Sequence, residues 1–205
     1  MADGIFRGDL RTAERLPTLG RSFFARDAET VARDLLGCLF ARRAPDGDRI
    51  CRIVETEAYV GAHDLACHAS KGRTPRTDPM FGEAGRAYVY FVYGMHHLLN
   101  IVTGSVGDPQ AVLLRGAEPW PGPSDASLAG PAKLCKALGI ETGTHNRADV
   151  CGDGELRFLA RPEPLRERVV AAPRVGVDYA GEWAAKPLRF LLEGSKGVSK
   201  VPGRS

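Results

Sequence analysis

The spacing of hydrophobic and polar residues along the chain predicts mainly short strands. Apolar residues are continuous, or alternate with polar ones, at 38–44, 51–60, 86–94 and 110–118. PDGD between the first two segments is a hairpin turn signal, so we expect those segments to pair antiparallel. RAYVYFVYG is the strongest strand candidate, and Tyr93-Gly94 at its end predicts the tip of a second hairpin that continues into HLLNIVTG.

The same pattern predicts two short helices. Asp27 can cap a helix over residues 28–37, whose apolar side chains share one face. Pro131 can open, and Gly139 can close, a second helix with the sequence PAKLCKAL. The N-terminus of the second helix is suited to a phosphate, with Lys133 beside it. The alternative is a packing helix with an exposed lysine, and the sequence favours neither.

The polar segment after Gly61 runs through Pro79 and is too long for a simple connection, so we expect a functional loop. It holds the nearest approach to a metal-ligand cluster, formed by His63, Asp64, Cys67 and His68. No residue elsewhere completes a tetrahedral set at the usual spacing. We therefore predict no metal, and structural or substrate contacts for these side chains.

Composition predicts one domain without disulfides. A chain of 205 residues with 43% hydrophobic and 26% charged residues suits a single core, and no apolar run approaches the roughly 20 residues of a membrane span. The five cysteines are odd in number and form no CxxC pair, which predicts reduced thiols. Residues 1–20 lack an apolar signal core and are predicted to be an N-terminal arm, so we expect a cytoplasmic protein.

The distribution of charge is more informative than the net charge of +3. Residues 65–77 contain Lys71, Arg73 and Arg76 but no carboxylate, and residues 84–107 contain no Asp or Glu. A polyanion could approach the aromatic hairpin between these segments without repulsion. A half-buried strand pair would also lack acids, and the two interpretations have equal weight.

Two glutamates stand out in the segment 51–60. In a strand, Glu55, Glu57 and Tyr59 point to one face. A glutamate on a half-apolar strand is costly to bury unless it is paired or functional. The alternative is a surface strand whose glutamates pair with Arg52 or Arg42.

The aromatic residues of the second hairpin divide into two groups. Tyr88 and Phe91 are expected in the core, because aromatic residues favour strands. Tyr90 and Tyr93 are predicted to point to opposite faces, with Tyr93 at the tip, where a bulky side chain could replace an extruded base in a DNA stack.

Together these segments resemble the alkyladenine (3-methyladenine) DNA glycosylase family. The resemblance runs from about Phe23 to Gly194 and rests on ETEAY, CHASKGRTPRT, AYVYFVYGMHHLLN, AVLLRG, GPAKLCKALGI and RVGVDYAGEWAAKPLRF, in that order. It implies an α+β fold in which one domain, residues 21–205, has a curved, mostly antiparallel sheet surrounded by short helices. It implies a monomeric enzyme without cofactors that excises alkylated or deaminated purines from duplex DNA.

The resemblance also assigns roles to residues. Glu57 is implied as the general base that activates water, and Arg115 as the residue that holds Glu57 and the water. The implied base pocket comprises Tyr59, His68, Tyr90 and Asn100, and the implied DNA wedge and tip comprise Tyr93, Met95 and His96. We expect Lys71, Arg73, Arg76 and Lys133 to contact phosphates. No lysine lies near the pocket strands, so water and not an amine should attack, leaving an abasic site in an intact strand.

Two alternatives belong to other functional classes. One is a module that recognises damaged or bent DNA without hydrolysis, although such a module would have little need for a buried carboxylate. The other is an enzyme acting on a small nucleoside or sugar, for which the wedge would serve no purpose.

The chain departs from the family pattern in two places. The tip carries histidines at 96 and 97, and the span between Glu118 and Gly130 is short and rich in proline.

Overall fold

The computed structural model describes residues 13, 15–122 and 124–199. Its helices are α1 (Arg21–Phe24), α2 (Ala28–Leu35), α3 (Pro131–Leu138) and α4 (Thr142–His145). Its strands are β1 (Leu39–Arg42), β2 (Arg49–Val60), β3 (Ala87–Val92), β4 (His96–Thr103), β5 (Gln110–Pro119), β6 (Leu156–Leu159), β7 (Val169–Ala172) and β8 (Arg189–Leu192). Short 3-10 helices occupy His68–Lys71, Asp78–Phe81 and Asp178–Ala184.

Strand β2 is the centre of the sheet. It pairs with β5 along one edge, and with β1 and then β8 along the other, which gives the order β3-β4-β5-β2-β1-β6 with β7 and β8 attached beside β2. Every pairing is antiparallel. The register against β5 shifts between Ile53 and Thr56, and such bulges bend a strand and increase its twist. The predicted α+β fold with a curved antiparallel sheet is confirmed.

The two faces of β2 have different neighbours. Val54, Thr56 and Ala58 are buried on the face towards the main hydrophobic core, and the Thr56 hydroxyl donates to the Ala32 carbonyl of α2 at 2.8 Å. The opposite face carries Glu57 and Tyr59. Alternation along one strand therefore separates the core from the polar face, as the sequence predicted.

The predicted start of α2 and both predicted ends of α3 are confirmed, whereas α2 ends at Leu35, two residues before the predicted Gly37. The Asp27 carboxylate caps α2 by accepting a hydrogen bond from the Thr30 amide at 2.8 Å. Pro131 lies in the first turn of α3, and Gly139 ends that helix with φ at 66°, a left-handed conformation that glycine adopts without steric cost.

The N-terminal arm predicted at 1–20 lies partly outside the described residues, which omit 1–12 and 14. Its later part contacts the sheet, because Thr18 forms a bridge with Leu159 and the Leu19 amide donates to the Phe158 carbonyl. Among the described residues, none of the helices has the length and apolar character needed to cross a bilayer.

Candidate active site

A pocket of about 330 Å³ opens on the polar face of β2. Residues from β2, β3, β4 and β5 and from the segments around His68 and Val175 line it. It brings together seven residues that the sequence singled out: Glu57, Tyr59, His68, Tyr90, Tyr93, Asn100 and Arg115. A pocket of this volume, lined by aromatic and aliphatic side chains with a few polar groups, is suited to one flat heterocyclic ligand.

Glu57 lies fully buried at the inner end of the pocket. Its Oε2 accepts a hydrogen bond from the Tyr59 hydroxyl at 2.9 Å, and its Oε1 accepts one from the Val175 amide at 2.9 Å. Arg115 Nη1 lies 3.5 Å from Oε1. Both carboxylate oxygens are thus held by groups from three separate parts of the chain.

Burial raises the pKa of Glu57 above its ordinary value. Arg115, the Val175 amide and the Tyr59 hydroxyl oppose this rise, and the nearby charge of Glu55 adds to it. A carboxylate with a raised pKa is a stronger base once ionised, which suits proton abstraction from water near neutral pH.

Glu55 has a different environment from Glu57, although both are buried. Its Oε1 accepts a hydrogen bond from Arg189 Nη1 at 2.8 Å and lies 3.4 Å from Arg115 Nε, while Oε2 accepts from the Ser199 amide at 2.6 Å. Glu55 does not line the pocket. The alternative of a surface strand is wrong, because Arg52 binds Glu167 instead and β2 is buried.

His68, Tyr88 and Tyr90 line the pocket and contact one another. His68 Nδ1 lies 3.0 Å from the Tyr88 hydroxyl, and the His68 and Tyr90 rings meet edge to face at 4.5 Å. Burial, and then the charge of Arg76, lower the pKa of His68 to about 4, so the imidazole is neutral at physiological pH. Arg76 also interacts with the Tyr88 oxygen.

Asn100 and Tyr88 occupy neighbouring positions across β3 and β4. The Asn100 side-chain amide donates to the Tyr88 carbonyl at 3.3 Å, which fixes its orientation in the pocket wall. The sequence assigned Tyr88 and Phe91 to the core, and this assignment is wrong for Phe91, which is 47% exposed. Tyr88 is indeed buried, but it also lines the pocket and holds His68.

The hairpin tip is exposed and strained. Tyr93 and Gly94 have φ of 52° and 66°, and the Met95 amide donates to the Val92 carbonyl, a two-residue turn of the type that favours Asn-Gly. Tyr93 is 90% exposed and Met95 is 68% exposed. A tyrosine in the left-handed region is rare, and such strain is typical of functional positions. Tyr93 borders the same pocket as Tyr90, because the turn ends the alternation that placed them on opposite faces.

The four predicted phosphate contacts occupy different positions. Arg76 is exposed beside the pocket, with its guanidinium 5.4 Å from the ring centre of the lining residue Tyr90. Lys71 and Arg73 are exposed on the adjoining segment, where Arg73 binds Asp78 at 2.6 Å. Lys133 is exposed on α3 and does not line the pocket.

The segment from His63 to His68, which the sequence offered as the nearest match to a metal-ligand cluster, is anchored by Arg174. Both oxygens of the buried Asp64 accept hydrogen bonds from Arg174, at 2.5 and 2.8 Å. In the described part of the chain, no group of three His, Cys, Asp or Glu side chains could hold a metal ion. The five cysteines are free thiols.

Sequence reasoning missed Arg174, Val175 and Tyr179. Val175 acts through its backbone amide, which carries no residue signature. Tyr179 is 71% exposed at the pocket mouth and donates to the Ala66 carbonyl at 3.2 Å. The string RVGVDYAGEW drew attention to this segment but indicated no role for its residues.

A larger groove of about 670 Å³ lies at the other end of the β2–β5 pair. Its carboxylates are already engaged: Glu167 with Arg52, Glu193 with Arg168, and Glu118 with the Lys196 amide. None of these three carboxylates is fully buried as Glu57 is, so the smaller pocket is the better candidate for chemistry.

Sequence comparisons relate the chain to known proteins. The sequence model of the methylpurine-DNA glycosylase (MPG) family matches residues 22–196. A protein from Myxococcus xanthus is 52% identical over 186 residues, which cover 90% of this chain and 94% of the relative. A protein from Methanocella arvoryzae is 48% identical over 92% of this chain and 99% of its own length, and one from Legionella pneumophila (strain Corby) is 43% identical over 89% and 98%. All three are named "Putative 3-methyladenine DNA glycosylase".

Proposed function

The chain belongs to the methylpurine-DNA glycosylase family and is a DNA N-glycosylase, and from this we propose that it flips alkylated purines out of duplex DNA and hydrolyses their N-glycosidic bond. The observation that supports this most strongly is the buried Glu57 carboxylate at the inner end of an aromatic pocket. The proposed substrates are of the 3-methyladenine and 7-methylguanine type, and the proposed active form is a monomer acting on chromosomal DNA in the cytoplasm.

In the proposed reaction, Glu57 takes a proton from water as the water attacks the anomeric carbon of the deoxyribose. The negative carboxylate also stabilises the positive charge that develops on the sugar. Arg115 orients the carboxylate, because its Nη1 lies 3.5 Å from Glu57 Oε1 while its Nε is held beside Glu55. The products are a free base and an abasic site.

The proposed base pocket uses stacking and one directed hydrogen bond. A purine alkylated on a ring nitrogen is cationic, and the faces of Tyr59 and Tyr90 attract cations. The neutral His68 donates from Nε2 to the base, and Asn100 disfavours undamaged guanine through its exocyclic amine. No lysine lines the pocket within the described residues, which supports a monofunctional enzyme that leaves the strand unbroken.

Single-turnover release of free base tests this proposal. Duplex oligonucleotides would each carry one lesion, chosen from 3-methyladenine, 7-methylguanine, hypoxanthine and ethenoadenine, and strand integrity would be measured before alkali treatment. We expect base release from the methylated purines with unbroken strands. Specific binding without release from any lesion would favour a recognition module, and release from free nucleosides alone would favour a nucleoside hydrolase.

Tyr93→Asn tests the wedge and separates DNA binding from stability. Asparagine tolerates a positive φ and precedes Gly94 here, so the variant should gain about 1 kcal/mol in unfolding free energy. Loss of the stacking ring should weaken binding to lesion-containing duplex by about 10-fold or more. Urea unfolding and fluorescence anisotropy measure the two effects.

The control is Val106→Asn, which changes a residue that is exposed but lies away from the pocket. It should leave lesion binding unchanged. Binding by Tyr93→Asn as tight as that of the wild type would rule out the wedge.

A further inference from the structure

Arg174 and Asp64 form a buried ion pair directly behind the pocket, and both side chains are inaccessible to solvent. Arg174 Nη1 also donates to the Ala58 carbonyl at 2.9 Å, and Nη2 lies 3.4 Å from the Trp183 carbonyl. Asp64 in turn accepts from the amides of Val60 and Ala66. One guanidinium therefore joins the end of β2, the loop that follows it, and the segment from 174 to 183.

This pair reaches each oxygen of Glu57 by a separate route. Arg174 immediately precedes Val175, whose amide donates to Glu57 Oε1. The Arg174 guanidinium also lies over the Tyr59 ring, 4.8 Å from its centre, and the Tyr59 hydroxyl donates to Glu57 Oε2. Both donors to the proposed general base are thus attached to, or packed against, the same arginine.

We propose that Arg174, through its pair with Asp64, is a positioning residue that holds the Glu57 carboxylate in its reactive orientation by fixing the Val175 amide and the Tyr59 hydroxyl. This inference rests on the proposed role of Glu57 as the general base. Arginine suits the task because its planar fork binds a carboxylate with two parallel hydrogen bonds while its face stacks on a ring. Lysine cannot make all these contacts together.

A purely structural role for the pair predicts something different. If the pair only joined segments of the fold, its loss would lower stability without changing the ionisation of Glu57. If the pair positions the two donors, loss of the pair leaves the Glu57 carboxylate with weaker hydrogen bonds and a higher pKa. The acid limb of the pH–rate profile, where the excision rate falls as Glu57 becomes protonated, then moves to higher pH. The groups that set this ionisation face Glu57 from several elements: Glu55, Tyr59, Tyr90, Arg115, Arg174 and Tyr179.

The test compares Arg174→Lys with Arg52→Lys. Arg52 lies on β2, the strand that carries Glu57, and makes a similar two-bond pair with Glu167, but it does not line the pocket. In Arg174→Lys, we expect the single-turnover rate to fall by about 10- to 100-fold, the acid limb to move to higher pH, and the affinity for lesion DNA to remain unchanged. In Arg52→Lys, the rate and the acid limb should match the wild type. A lower rate in Arg174→Lys with an unmoved acid limb would overturn the proposal.

A second measurement depends neither on activity nor on the folding of Arg174→Lys. The chemical shift of the Val175 amide proton in the labelled wild-type protein should titrate with the ionisation of Glu57, and Glu57→Gln should abolish this titration. If the chemical shift of the Val175 amide proton did not change as Glu57 ionises, the proposed route from Arg174 through Val175 to Glu57 would be wrong even in an active enzyme. Absence of base release by the wild type would instead overturn the proposed function, so the two failures are distinguishable.

Discussion

Glu57→Gln is expected to lower the single-turnover rate of base release by about 10³-fold. Positioned general bases contribute roughly 10²- to 10⁴-fold, and Glu57 would also lose its charge opposite the developing positive sugar. Glutamine keeps the size and one acceptor oxygen for the Val175 amide, so the pocket shape should persist. Affinity for lesion DNA should therefore remain close to that of the wild type.

The measurement is base release and DNA affinity for the same lesion duplex. The matched control is Glu163→Gln, because Glu163 is an exposed glutamate paired with Arg166 on the surface. It should behave as the wild type in both assays. Retention of most of the excision rate by Glu57→Gln would remove Glu57 from the role of base.

The stability of Glu57→Gln gives independent evidence. Burial raises the pKa of Glu57 in the folded state, so the ionised carboxylate weakens the fold. The stability associated with the protonated form is fully present below the unfolded pKa and is lost as pH rises through the raised folded pKa. Glutamine does not ionise, and Arg115 keeps Glu55 as its charged partner at 3.4 Å, so the variant should be at least as stable as the wild type at neutral pH. An active enzyme thus retains a carboxylate that the fold alone would disfavour.

Local patterns allowed much of the fold and part of the site to be predicted. Alternation in β2 placed Glu57 and Tyr59 on one face because a strand has a period of two residues regardless of its surroundings. The Asp27 cap and the glycine that ends α3 follow from rules that involve only a few neighbouring residues. The resemblance then selected Glu57 over Glu55, a choice that alternation could not make.

Contacts between distant segments could not be predicted in this way. Arg189 and Arg174 lie more than 100 positions from the carboxylates they bind, and nothing in their local sequence marks those partners. The Val175 amide is a backbone donor, which every residue other than proline possesses. Tyr88 was assigned to the core from its strand propensity, but propensity cannot show that a buried side chain also borders a cavity.

Arg115→Met is expected to lower the excision rate by about 10²-fold or more and to move the acid limb of the rate to higher pH. Arg115 lies 3.5 Å from Glu57 and is the largest influence that lowers its pKa against the effect of burial. Without that charge the carboxylate stays protonated to higher pH, and a protonated acid cannot accept a proton from water. A pH profile of single-turnover base release between about pH 5 and 8 measures both changes, because a raised glutamate pKa brings the limb towards neutrality.

Arg189→Met is the matched control, since Arg189 is the other buried arginine bound to Glu55. Arg189 lies opposite Glu57 in the pairing of β2 with β8, but its guanidinium donates to Glu55 Oε1 and to the Pro173 carbonyl. Both variants break a buried ion pair and should cost about 3 kcal/mol in unfolding free energy. The acid limb should move further in Arg115→Met than in Arg189→Met, because only Arg115 lies beside Glu57 Oε1 while Arg189 acts on Glu57 through Glu55. The loss of stability in Arg115→Met should also shrink as the pH falls, because protonation removes the unpaired charge from Glu57. Equal shifts of the limb in the two variants would show that Arg115 acts on Glu57 only through the general stability of the site.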